Sequence, residues 1–158
     1  MTHIIVFNGL LIASIAYAML KGGAPERLIA TIFLIAATAS YLAPYSGYHV
    51  LEADILLIDA IALLALIAVA LVANRYWPMY EAALQLLTVA IHAVKAYNPE
   101  LAYWMYGGAS AKIAYPTLII LVIGVARHRK RLIGTGVDRP WSHSPAVSSP
   151  RFHDKLGE

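Results

Sequence analysis

The sequence predicts an all-α, polytopic transmembrane bundle of five helices, with the N-terminus outside and the C-terminus inside. Three observations predict it. Of the 158 residues, 60% are hydrophobic and 13% charged, whereas a soluble domain is about 45–50% apolar and about 25% charged. Apolar segments of roughly 18 residues or more recur along the chain, each long enough to cross a hydrocarbon core of about 30 Å. Finally, the basic residues are unevenly distributed. With the basic tail inside, Lys21, Arg27, Arg75 and the seven Lys and Arg after Ala126 lie on one side, against Lys95 and Lys112 on the other. Ten against two satisfies the positive-inside rule.

The first predicted helix runs from His3 to Leu20, interrupted only by Asn8 and Ser14. Ala16-Tyr17-Ala18 imitates a signal-peptidase site, but nothing basic precedes the apolar run, so the segment reads as a retained helix. Gly9 and Ala13 form a small-x-x-x-small pair, where a neighbouring helix is expected to approach. The second helix opens at Pro25, with Glu26 beside the positive end of the helix dipole, and closes before Pro44. Thr31 and Thr38 share a face with Arg27, and backbone bonding is their expected use.

A Tyr-rich turn, PYSGYHV, leads to a third helix over Glu52 to Ala73, which carries Asp54 and Asp59. Asn74-Arg75-Tyr76-Trp77 is an interfacial turn, and Pro78 starts the fourth helix with Glu81 in its first turn. Asn98-Pro99 repeats that start signal for a fifth helix over Leu101 to Ala126, in which Pro116 is expected to produce a kink. From Arg127 the composition turns basic and Ser/Pro-rich. Residues 1–126 are therefore expected to form the bundle and 127–158 a solvated cytoplasmic tail.

The fourth helix carries the chemistry. Glu81, Gln85, Thr88, His92 and Lys95 follow at steps of four, three, four and three, which places them on one helical face. Ionisable groups in hydrocarbon are costly, so this seam is expected to face other helices. Asp59 lies 17 residues before Tyr76 and His92 lies 16 after it; at about 1.5 Å per residue the two share one depth. Asp59, His92, Lys95 and Lys112 are thus expected to form an intramembrane polar cluster, and Arg75 and Glu81 a cytoplasmic-side ion pair.

That cluster has a structural use, tying helices together, and a functional one, since an Asp with a His can relay protons. A lipid, quinone or pigment site using His92 and the outer aromatics Tyr41, Tyr45, Tyr48, Tyr97, Tyr103, Trp104 and Tyr106 is a third use. Haem is disfavoured because His92 is the only histidine well inside a predicted span. The chain has no cysteine, which excludes disulfides and thiolate metal sites. His49 and Glu52 have the spacing of a metal pair, but two ligands make a weak site and no metal is expected. Neither a GxSxG nor an HExxH pattern nor a phosphate-binding glycine loop occurs, so no enzyme is expected. The positive charge belongs to topology or to anionic lipid, and nucleic acid is not an expected partner.

The run Arg75-Tyr76-Trp77-Pro78, with Ala82-Ala83-Leu84-Gln85-Leu86-Leu87 and His92, resembles small multi-pass inner-membrane proteins of bacteria. The resemblance implies that location and transfers no site residue. Together these features lead to the expectation of a non-catalytic accessory subunit of a larger bacterial inner-membrane complex, its partners being membrane lipids and other subunits or copies of itself. The competing expectation is a homo-oligomeric proton-coupled transporter or channel with Asp59, His92 and Lys95 as the relay.

Overall fold

A computed structural model describes residues 2–44, 53–100 and 102–142. It is all-α, with five helices: α1 (Thr2–Lys21), α2 (Ala24–Leu42), α3 (Ala53–Val72), α4 (Trp77–Tyr97) and α5 (Tyr103–Thr135). Proline sets the two sharpest starts. Pro25 and Pro78 occupy the first turns of α2 and α4, where the missing N–H costs no helical bond. The helices pack in chain order around a ring that α1 closes against α5, and α2 also touches α5. Among the described residues α4 packs only on α3 and α5.

Three helical segments are long and apolar enough to cross a membrane: α2, α3 and the stretch Trp104–Thr135 of α5. The apolar run of α1, Ile5–Lys21, is shorter. Glu81, Gln85, His92 and Lys95 dilute the apolar content of the 21-residue α4. Large apolar side chains cover the outside: Ile12, Leu64 and Leu71 are 68%, 68% and 77% exposed. A surface of that kind suits contact with lipid.

The buried core is small and gathers toward the end of the bundle that holds the α3–α4 turn. Ile15 and Ala18 of α1, Ile29 and Ala30 of α2, Leu66 and Val69 of α3, Trp77 of α4, and Leu121 and Val125 of α5 form it. Small residues allow the closest approaches. A Cβ on Gly124 would sit 2.7 Å from the Trp77 ring, and one on Gly22 would overlap the Ala18 carbonyl oxygen. Gly9, by contrast, has open space around it and Ala13 is exposed, so among the described residues no helix approaches closely at that pair. Gly124→Val should therefore force the indole and α5 apart. Overpacking of this kind costs about 1–3 kcal/mol, measurable as a lower unfolding midpoint in detergent, whereas Gly9→Val should leave the midpoint unchanged.

Two boundaries differ from expectation. Asn98 terminates α4 and does not begin the next helix: its N–H bonds the Val94 carbonyl, and α5 starts after Ala102. The second difference is larger. The helix expected to end at Ala126 runs on to Thr135, making α5 33 residues long, about 50 Å. Arg and Lys are good helix formers, so the basic run continues the helix. Gly136, at φ 71°, ends it. The chain then folds back onto the α3–α4 turn, where Asn74 N–H bonds the Pro140 carbonyl at 3.2 Å and Ser142 N–H bonds the Val72 carbonyl at 3.0 Å. Residues 127–142 thus belong to the folded body. The expectation for the remaining tail falls outside the described residues.

Candidate functional site

The polar face of α4 points inward. Glu81, His92 and Lys95 are buried and Gln85 and Thr88 half-buried, while Ala83, Leu86, Leu87 and Val94 on other faces are exposed. Thr88 bonds its own helix, donating to the Leu84 carbonyl at 3.2 Å. Thr31 and Thr38 do the same on α2.

The expected pairing at equal depth on α3 and α4 is present. Gln85 Nε2 donates to Asp59 Oδ1 at 2.9 Å, and His92 Nε2 lies 3.1 Å from Asp59 Oδ2. On the other side of the ring, Tyr106 of α5 bonds His92 Nδ1 at 2.5 Å. A neutral imidazole fits both partners when Nε2–H donates to the carboxylate and Nδ1 accepts the phenol O–H. Lys95 caps the group: its ammonium donates to the Pro99 carbonyl at 2.9 Å and lies 5.9 Å from the centre of the Tyr106 ring, within cation–π range. One hydrogen-bonded line, Gln85–Asp59–His92–Tyr106, therefore links three helices. Its imidazole is buried, and the line can either lock the helices together or pass a proton along them.

Lys112 does not join this cluster. It is exposed on α5, and the position opposite His92 is taken by Tyr106, which is fully buried. Tyr106 is thus a member of the network and not of the expected outer aromatic platform. Tyr41, Tyr97 and Trp104 are 88%, 94% and 66% exposed; Tyr45, Tyr48 and the Tyr103 side chain lie outside the described residues, as do His49 and Glu52.

The expected Arg75–Glu81 ion pair is replaced by a different cluster. Arg75 Nη1 bonds Glu26 Oε1 of α2 at 2.8 Å, and Nη2 lies 2.9 Å from Asp138 Oδ2. His128 Nδ1 and Arg131 Nε of α5 bind the same Asp138 carboxylate, the latter at 2.9 Å. Arg75 departs from Glu81 because it lies in the turn, facing the start of α2 and the returning chain, whereas Glu81 points into the helix ring. The sequence did carry a signal for this cluster. Glu26 begins α2 at the same end of the bundle that Arg75 closes, and a depth count would have matched them. Nothing comparable marks Asp138, whose position depends on the chain reversal at Gly136.

Burial alone would raise the Asp138 pKa, but the His128 hydrogen bond and the positive charges of Arg75 and Arg131 outweigh it and hold it below the usual carboxylate range. A depressed carboxyl contributes stability above its unfolded pKa, about 3.9, and loses it as pH falls through the folded value. Docking of 136–142 should accordingly be constant from neutral pH to about pH 5 and weaken below about pH 4. Hydrogen-exchange protection of the Asn74 and Ser142 amides measures this, and in Asp138→Asn the same loss should already be present at neutral pH.

Glu81 itself is fully buried, and among the described residues neither carboxylate oxygen has a hydrogen-bond partner. The Trp77 indole N–H, one turn earlier on the same face, is also buried without a partner. No group of three His, Asp or Glu able to hold a metal occurs among the described residues. Comparisons with family models, curated proteins and solved structures found no match for the chain.

Proposed function

We propose that the protein is a five-span helical bundle of the bacterial inner membrane, with a periplasmic N-terminus and a cytoplasmic C-terminus. In this reading it acts as a non-catalytic accessory subunit of a larger membrane complex. Supporting it is the way the interior polar groups bond mainly to one another: Asp59, Gln85, His92 and Tyr106 at one level, and Glu26, Arg75, Asp138 and His128 at the other. Helices in lipid gain no hydrophobic free energy from associating with each other, so internal bonds and close packing fix their arrangement. A bundle fixed at two levels presents constant lateral faces to partner helices. Membrane lipids and other subunits are its partners in this reading, and nucleic acid is not. Gentle detergent extraction followed by native gels and mass spectrometry tests it: other chains should co-migrate in fixed stoichiometry. Recovery of the chain alone under every mild detergent overturns it.

A second reading is favoured by one observation, the unbroken Asp59–His92–Tyr106 line beside Lys95. It makes the protein a homo-oligomeric proton-coupled transporter or channel. Purified protein in liposomes should then move protons or a solute, and Asp59→Asn with His92→Gln should reduce the flux at least tenfold. In the subunit reading those substitutions change assembly, and the purified chain gives no flux.

A further inference from the structure

We propose that Glu81 is an exchangeable proton-binding site in the interior of the bundle. Among the described residues both its oxygens are buried without a hydrogen-bond partner, and it lies one helical turn from the likewise unpartnered indole N–H of Trp77 and one turn from Gln85. The inference rests on the proton-relay reading only for the destination of the proton.

The surroundings decide what the carboxyl binds. On α3, positions 60–73 between Asp59 and the turn are all Ala, Leu, Ile or Val. On α5, the stretch between Lys112 and Arg127 offers Tyr115 and Thr117. Tyr115 packs edge-on against Phe7 of α1, with ring centres 5.5 Å apart, and Thr117 donates to the Ala114 carbonyl. Other charged groups on these elements are committed elsewhere or lie away from Glu81. Asp59 is bound to Gln85 and His92, and Arg75 and His128 are bound in the Asp138 cluster. Asp54, Lys112, Arg127, Arg129 and Lys130 are exposed, and Arg131 reaches Asp138. Tyr76, Tyr80 and Tyr97 are exposed, while His92 and Lys95 lie three turns or more along α4.

An ionised carboxylate with no counter-charge is too costly to hold in such a place, so the group takes a proton or a cation. A metal cation requires several oxygen ligands, and no group of three acidic or histidine side chains surrounds the site among the described residues. A proton requires one carboxyl oxygen. Gln85, already bonded to Asp59, stands between Glu81 and the outer network, and Trp77 and Arg75 stand between it and the opposite end. Glu81 stands only four residues into α4, with Tyr76 and Tyr80 exposed beside it, so local opening of that helix end exchanges the proton with solvent.

Infrared spectroscopy of the full-length protein in detergent or lipid tests this directly. At neutral pH the wild type should show the C=O stretch of a protonated carboxyl, shifted on transfer to D2O. Glu81→Gln should remove one carboxyl equivalent of that band, and Asp59→Asn should leave it in place. A band missing from the wild type, unaltered by Glu81→Gln, or present but unmoved by prolonged D2O overturns the inference. Should Glu81→Gln fail to fold, the wild type is treated with a hydrophobic carbodiimide, whose C=N bond adds the O–H of a protonated carboxylic acid before rearranging to a stable acylurea. Peptide mass spectrometry should then find the adduct on Glu81, with labelling falling as pH rises; an unlabelled Glu81 overturns the inference. An exchanging band in a protein that passes no protons in liposomes would sink the relay reading alone.

Discussion

Arg75→Ala is expected to destabilise the bundle by roughly 3–5 kcal/mol, the range for removing one partner of a buried ion pair. Glu26 would keep a fully buried carboxylate with no counter-ion, and Asp138 would lose one of its two arginine partners. In a chain of this size a loss of that order lowers the unfolding midpoint by about 10 °C, which a thermal melt in a mild detergent resolves. Arg75→Lys should recover only part of the loss, because one ammonium does not reproduce the fork that reaches Glu26 and Asp138 at once. Glu26→Gln should rescue Arg75→Ala, since the amide removes the stranded charge. A melt within about 0.5 kcal/mol of wild type for Arg75→Ala would mean that water, not Arg75, compensates Glu26.

His92→Leu should cost about 2–4 kcal/mol by stranding two groups at once, the Asp59 carboxylate on α3 and the Tyr106 hydroxyl on α5. Adding Asp59→Leu to it should recover a sizeable part of the loss, because removing both partners of a buried bond is far less costly than removing one. The coupling energy of this double-mutant cycle separates a true His92–Asp59 interaction from two independent packing effects. Strict additivity of the two losses would show that the two side chains are neighbours without being energetically linked. Lys112→Ala provides the internal control: the side chain is exposed, so a loss beyond about 0.5 kcal/mol is not expected.

Much of the site was legible before any coordinates, for a geometric reason. A helix repeats every 3.6 residues, so steps of four and three fixed the Glu81–Lys95 seam to one face. A hairpin with a short turn then equates depth with sequence distance, which placed Asp59 opposite His92. A depth count of the same kind matches Glu26 at the start of α2 with Arg75 in the α3–α4 turn, since both lie at one end of the bundle. An aromatic near a helix start reads as an interfacial anchor, and only the packing of α5 on α4 turns Tyr106 inward. A basic, apolar-poor run likewise reads as solvated chain, whereas α5 continues through it to Thr135.

The sequence by itself determined an all-α protein rich in long apolar helices and the inward side of the α4 seam, because both follow from hydropathy and the helical period. Tertiary structure alone decided which charges meet. It gave Arg75 to Glu26 and Asp138, left Lys112 outside, brought Tyr106 to His92 and left Glu81 with no hydrogen-bond partner among the described residues. Pairing of charges depends on the azimuth of each helix and on where the chain after Gly136 returns, and neither is encoded in the periodicity of any single segment.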